Sequence, residues 1–261
     1  MDEGDLYAHP ELYELAFSYR DVASEVDALE AWCRAHRGGS PRSALELAAG
    51  PAAHAIELSR RGVRVTALDS SSTMCAFARR RARREGADVT VVEGDMVRFR
   101  MRRRFDLALS MCNSASHILD LDAMVAHLRS VAVHLAPEGI YVMELAHPAE
   151  FLDGAAPTQD RWRIRQGKRR IDVRWTSPPT RFDPATQVGE ESVTVTVEED
   201  GRRRVLRDRL RLRRWTAAEI DAALRLAGGL ELAGRYGAFD PAVRFGGGEG
   251  EWRMISVARR A

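Results

Sequence analysis

The sequence predicts an α/β protein: a parallel sheet covered by helices on both faces, preceded by an N-terminal helical lid and interrupted by an inserted antiparallel β element. Three observations carry this. Between residues 41 and 147, short apolar runs alternate with segments of helical periodicity, the pattern of successive β-α units. Between 148 and 214 the helical period gives way to strict alternation around turn residues, and 215–261 returns to one helix and two strands that complete the core.

Each element follows from local chemistry. In 1–40, Leu12, Leu15, Ala16 and Tyr19, then Val22, Val26 and Leu29, recur at helical spacing, so the segment reads as helical. RGGSP at 37–41 closes it as a loop. Strands are expected over 44–47, 63–68, 89–92, 105–109 and 140–145, with helices over 53–61, 72–84 and 122–135 between them. A PEG turn at 137–139 separates the last of these helices from the last strand. Two hairpins follow His147 and Pro148: 162–175, turning near Gln166 and Gly167, and 192–212, turning at 199–201 with Val193, Val195 and Val197 on one face. Thr216 is placed as the N-cap of the next helix with Glu219 at its capping-box position, and Gly228 with Gly229 ends that helix. The final strands, 230–236 and 252–258, flank a glycine-rich loop at 246–250.

At 261 residues and 45% hydrophobic, the chain suits one large domain with decorations and is short for two. Its acidic start, MDEGDLYAHPELYELAF, lacks a basic region followed by an apolar one, and no apolar run approaches the roughly twenty residues of a membrane span. Cys33, Cys75 and Cys112 form no CxxC, as expected of a reduced cytoplasmic protein. A net charge of +2 argues against a dedicated nucleic-acid binder, although Lys168 is the single lysine among many arginines. The arginine runs at 79–81, 102–104 and 202–204 read as solvated faces.

The stretch 43–72, SALELAAGPAAHAIELSRRGVRVTALDSSS, has the layout of a nucleotide-binding β-α-β unit but holds one loop glycine, Gly50. A dinucleotide site needs GxGxxG so that backbone can approach a pyrophosphate. Glu46, just before the loop, would repel phosphate and suits a cation. Asp69, ending the next strand, is placed to accept from both ribose hydroxyls, and Asp95, after the third strand, from an adenine amino group. A cofactor with an ammonium, a sulfonium and a ribose but no phosphate fits these acids: S-adenosylmethionine. Singly, Glu46 reads equally as a surface acid and Asp69 as a helix cap; their joint order favours the cofactor. Ala48 and Ala52 are expected at negative φ, leaving Gly50 to carry the left-handed geometry.

With ELAAGPA, ALDSSSTM, EGDM, FDLALSM and LAPEGIYVMEL in this order, the chain resembles the class I S-adenosylmethionine-dependent methyltransferases over 44–145 and again in the last two strands. It departs from that family's ExGxGxG at Ala48 and Ala52. The resemblance implies a Rossmann-like seven-stranded sheet and a cofactor site built from Glu46, Ala48, Gly50, Asp69, Ser70, Met74, Gly94, Asp95, Met96 and Met111. YELAFSYRD further resembles the N-terminal lid of small-molecule N-methyltransferases of the amino-sugar and glycine types. On that resemblance Tyr13 joins the site and Arg20 pairs with the methionine carboxylate of the cofactor.

An activated methyl group needs an aligned, deprotonated nucleophile and a dry site. His117 is the leading general base, with Glu144 and His147 approaching from the fifth strand; the structural alternative for His117 is a helix-end contact. The segment 110–117, SMCNSASH, lacks the run that exocyclic-amine nucleic-acid methyltransferases carry, and the SPPT run at 177–180 falls in the insertion. Asp120 and Asp122 fall where a helix is capped, so no metal is expected. The sequence therefore points to methyl transfer onto an amine, or else a hydroxyl or carbon, of a small molecule by a monomer or homodimer, with the insertion roofing the acceptor site or forming a dimer interface. The competing readings are a binding or regulatory protein of the same fold that has lost catalysis, suggested by Ala48 and Ala52, and a nucleic-acid methyltransferase, suggested by arginine content alone.

Overall fold

The computed structural model describes residues 2–3, 6–152, 161–175 and 181–261; SPPT at 177–180 lies outside them. The N-terminal segment is not one helical unit. It holds a two-residue strand, β1 (Asp2–Glu3), a 3-10 turn at Leu6–Ala8, α1 (Pro10–Ala16) and α2 (Val22–Arg37). Asp21 restarts the helix by accepting from the Ser24 N–H at 3.1 Å, and Gly38, at φ +84°, ends it.

The core then alternates: β2 (Ser43–Leu47), α3 (Ala53–Arg60), β3 (Arg64–Asp69), α4 (Ser72–Arg84), β4 (Val89–Glu93), β5 (Phe105–Ser110), α5 (Leu121–His134) and β6 (Leu135–Ala146). After α6 (Ala149–Leu152), β7 (Arg161–Gln166), β8 (Arg169–Trp175), β9 (Arg181–Asp183), β10 (Val188–Glu199) and β11 (Arg202–Arg213) form the insertion, and α7 (Ala217–Ala227), β12 (Leu230–Tyr236) and β13 (Arg253–Arg260) return to the core. Thr216 and Glu219 make the reciprocal capping box at the start of α7. No helix among the described residues is long and apolar enough to cross a membrane.

Seven strands form the main sheet in the order β12-β13-β6-β5-β2-β3-β4, parallel from β4 to β6 with β13 antiparallel to both neighbours. One face buries α5 and α7 through residues such as Leu128, Val131 and Ile220; the other buries α2 and α3 around Trp32 and Leu58. Strand order reverses between β2 and β5, which opens a crevice at their carboxyl ends. The expected PEG turn is instead an irregularity inside β6. Glu138 sits at φ +59°, and a Cβ on Gly139 would lie 2.9 Å from the carbonyl oxygens of Ala136 and Phe105, so only glycine lets the strand pass there.

The second sheet runs β1-β11-β10-β8-β7, with β9 on β10. Its inner face, including Ile171, Val173, Val193, Val195, Leu206 and Leu210, packs on Leu6, Leu15 and Ala16 of the N-terminal segment. Its outer face is rich in arginine. Cross-strand register sets Arg161 opposite Arg174 and Arg165 opposite Arg170, and places Arg203, Arg207, Arg209 and Arg211 along β11.

Candidate active site

Two adjoining cavities, of about 640 and 370 Å³, lie at the crevice and share Tyr13, Phe17, Ala48, Gly50, Cys112 and Ser114. The loop after β2 and the segment after β5 form their floor; the lid and the second sheet close them.

The floor is held in a demanding backbone conformation. Ala48, Gly50 and Ala52 stand at φ +50°, +51° and +58°, and across the crevice Cys112 and Asn113 stand at +55° and +59°. The expectation of negative φ at Ala48 and Ala52 is therefore wrong: both alanines adopt the left-handed geometry that glycine adopts without steric cost. The loop is fixed by the Ala49 N–H on the Leu68 carbonyl at 3.0 Å and the Ala52 N–H on the Ala49 carbonyl at 2.8 Å. Non-glycine residues in this region persist where the surroundings over-determine them, and such strain concentrates at functional sites.

Asp69 ties this loop to the next. One carboxylate oxygen accepts from the Gly50 N–H at 2.7 Å and the other from the Ser71 N–H at 2.8 Å. Burial raises its pKa, against the lowering effect of those two N–H groups. Each oxygen keeps acceptor capacity toward the larger cavity, which Asp69 and Ser70 line.

Beneath the smaller cavity, opposite charges alternate without a break. His54 bridges Glu46, 3.1 Å from Nδ1, and Glu25, 2.7 Å from Nε2. Arg20 donates from Nε to Glu25 at 2.9 Å and from both terminal nitrogens to Glu144 at 3.0 and 2.9 Å. Arg253 lies 3.1 Å from Glu144 on its other side. Burial alone would lower the His54 pKa, but its two carboxylate partners raise it to about 9, so the imidazole is charged at neutral pH. The cation that Glu46 attracts is thus His54, and its second oxygen accepts the Ala55 N–H at 2.8 Å.

At the other end of the larger cavity His117, in the 3-10 turn Ser114–His117, has Nε2 2.9 Å from the Tyr7 hydroxyl. Burial lowers its pKa, which keeps the ring neutral at pH 7.

A comparison with family models matches residues 44–139 to the methyltransferase domain. That match takes in 96 of the 261 residues. Among curated relatives, the chain is 30% identical over 141 residues to the cypemycin N-terminal methyltransferase of a Streptomyces species, covering 54% of this chain and 56% of that protein. It is also 30% identical over 149 residues to the dTDP-3-amino-3,4,6-trideoxy-alpha-D-glucopyranose N,N-dimethyltransferase of Streptomyces venezuelae, covering 56% and 61%. The matches thus span little more than half the length of these relatives. Among solved structures, SAM-bound CalS10, an amino pentose methyltransferase from Micromonospora echinaspora, shares the fold with a TM-score of 0.74 at 23% identity, over 95% of this chain and 96% of that one.

Around this matched segment the structure sorts the residues expected from sequence. Tyr13, Ala48, Gly50, Asp69, Ser70, Met96 and His117 line the larger cavity, and Arg20, Glu46 and Met111 line the smaller one. Met74 is buried within α4, Gly94 packs against Leu68, and Asp95 is exposed, where it accepts the Val97 N–H at 2.8 Å. Two of the expected bases face elsewhere. Glu144 is fully buried; burial would raise its pKa, but Arg20 and Arg253 pull it down to about 2, and it also accepts the Cys112 N–H at 2.6 Å. It is an anchor for the lid rather than a proton acceptor. His147 is 3.2 Å from Glu251, accepts the Ala149 N–H and stacks on Phe245. Sequence reasoning missed Trp162, Trp175, Glu191, Arg214 and Arg253, which all line the larger cavity.

Proposed function

We propose that this chain transfers a methyl group from S-adenosylmethionine to the amine of a small molecule, acting in the cytoplasm as a monomer or homodimer. The observation that carries this reading is that Asp69, pinned by the Gly50 and Ser71 N–H groups, shares one cavity with the Tyr7–His117 pair. The two curated relatives support the amine: one is named an N-terminal methyltransferase and the other an N,N-dimethyltransferase of an amino sugar.

The residues present fit the cofactor. Asp69 would accept from the ribose hydroxyls, the open Gly50 backbone lets the chain pass close by, and the Arg20 terminal nitrogens each carry a second hydrogen beyond the one given to Glu144, available to a carboxylate. When bound, S-adenosylmethionine supplies a methyl group already activated on a sulfonium. What remains for the protein is alignment and proton control. His117, neutral through burial, takes the proton of the acceptor ammonium, so that the nitrogen lone pair is free to form the N–C bond as the C–S bond breaks. Tyr7 orients the ring, and the aromatic lid excludes water.

The non-catalytic reading rested on Ala48 and Ala52. Both hold a left-handed φ in spite of their Cβ, the geometry glycine adopts without steric cost, which favours a working loop. The test is methyl transfer from labelled S-adenosylmethionine to a panel of primary and secondary amines, together with calorimetric titration of the cofactor. Cofactor binding without transfer to any amine would return the binding-protein reading.

A further inference from the structure

We propose that the acceptor amine is borne on an apolar or aromatic framework, and that the part of it enclosed by the protein carries no phosphate. This rests on the methyl-transfer reading above and names its substrate class. One end of the larger cavity is walled by Phe17, Tyr19, Trp162 and Trp175. Phe17 is the hub, with ring centroids 5.9 Å from Trp162 and 6.2 Å from Trp175, while Tyr19 lies 5.6 Å from Trp162. The indole N–H of Trp162 donates to the Ala16 carbonyl at 2.6 Å, and that of Trp175 to the Glu191 carboxylate. Both polar handles are committed to protein acceptors. What these rings present to a ligand is carbon surface and π-faces, which attract apolar groups and cations.

The charges on this wall are already balanced. Among the described lining residues the cations at this end are Arg214 and Arg253. Arg214 is ion-paired with Glu191, and both are buried, at 5% and 1% exposure. Arg253 faces Glu144 at 3.1 Å and Glu150 at 3.8 Å. A nucleoside diphosphate would bring at least two negative charges against cations whose charge is spent, next to Glu150 and Glu191, and burying such charges without partners is costly. An amine fits the opposite way: it attacks as a neutral base and leaves as a methylated ammonium, which aromatic faces attract.

The experiment reads binding, not turnover. The folded chain is titrated calorimetrically with 3-phenylpropylamine, thymidine diphosphate and inorganic pyrophosphate, with and without S-adenosylhomocysteine. The arylamine is expected to bind and the two phosphates to give no saturable heat at millimolar concentration. Trp162→Ala and Trp175→Leu should each weaken the arylamine by about tenfold or more, the loss of one aromatic contact, while S-adenosylhomocysteine affinity stays unchanged. Trp162→Phe, which keeps a ring and is the milder change should the alanine variant unfold, should retain arylamine binding. Saturable binding of either phosphate, or unaltered arylamine affinity in the folded tryptophan variants, would overturn the proposal. Absence of methyl transfer to amines alongside arylamine binding would count against the activity and leave the class of ligand standing.

Discussion

Arg20 and Glu144, separated by 124 positions in sequence, meet in a bidentate ion pair of 3.0 and 2.9 Å that fastens the lid to the last parallel strand. Glu144 is wholly buried, so removing Arg20 takes away its bidentate partner and leaves its charge to Arg253 alone. Arg20→Ala should lower unfolding free energy by about 3–5 kcal/mol, the range for breaking a buried pair from one side. Arg20→Ala combined with Glu144→Gln should lose clearly less. Urea denaturation of the three variants decides it; an unmoved midpoint in Arg20→Ala would free Arg20 for the cofactor alone.

The strained loop after β2 makes the opposite kind of prediction. With Ala48 at φ +50° and Ala52 at φ +58°, each Cβ sits where L-residues incur a cost of about 1 kcal/mol or more. Ala48→Gly and Ala52→Gly should therefore raise stability modestly, by up to about 1 kcal/mol, despite glycine's larger unfolded-state entropy. Gly50→Ala should lower it by a similar amount, because its own φ is +51° while its new Cβ would meet Tyr13 at an ordinary 3.8 Å. Thermal melts in cofactor-free buffer read all three.

Asp69→Ala should weaken S-adenosylmethionine by about 1.5–3 kcal/mol, the scale of hydrogen bonds to a charged group. It also releases the Gly50 and Ser71 N–H groups, so Asp69→Asn is the gentler comparison. Titration calorimetry at constant pH separates them, and wild-type affinity in both would end the cofactor assignment.

His54 links stability to pH with a definite sign. Its pKa rises from an ordinary 6.5 to about 9 on folding, so the imidazolium contribution is fully present below about pH 6.5 and fades as pH climbs through about 9. Melting temperature should fall across that window, and His54→Gln should be less stable at pH 6 yet flatter between pH 6.5 and 9. A slope that survives the substitution would assign it to another group.

His117→Ala should reduce kcat by about 10²-fold or more if it takes the acceptor proton, and Tyr7→Phe by less. Because burial lowers the His117 pKa, wild-type activity should stay level from neutral pH downward until that lowered value is reached, then fall. Loss of KM alone, with kcat intact, would make His117 a binding residue.

The crevice was legible in the sequence because its determinants are local: Asp69 and Gly50 sit at fixed offsets from strand ends and strand order follows from the β-α repeat, whereas Glu46 is taken by His54 and Asp95 lines neither cavity. The hairpins were equally legible, since Val193, Val195 and Val197 alternate with polar neighbours. What failed needed partners distant in sequence. Glu144 looked catalytic until Arg20 and Arg253 were seen to claim it, and Ala48 and Ala52 looked incompatible with positive φ because side-chain identity says nothing of the hydrogen bonds that compel the turn. Trp162 and Trp175 were placed on strands correctly, but which cavity they wall depends on how the second sheet leans over the first.

The outer face of the second sheet carries a dense row of charge. A two-fold axis through it would set the rows around Arg174 and Arg207 against themselves, because an isologous contact joins each patch to its own image. Acids stand among these arginines within one copy: Asp172 pairs with Arg161 and Arg163, and Glu190 and Glu198 face Arg211 and Arg203, so that arginine remains in excess. In dilute buffer this face acts as a colloidal spacer whose reach shrinks as salt is added.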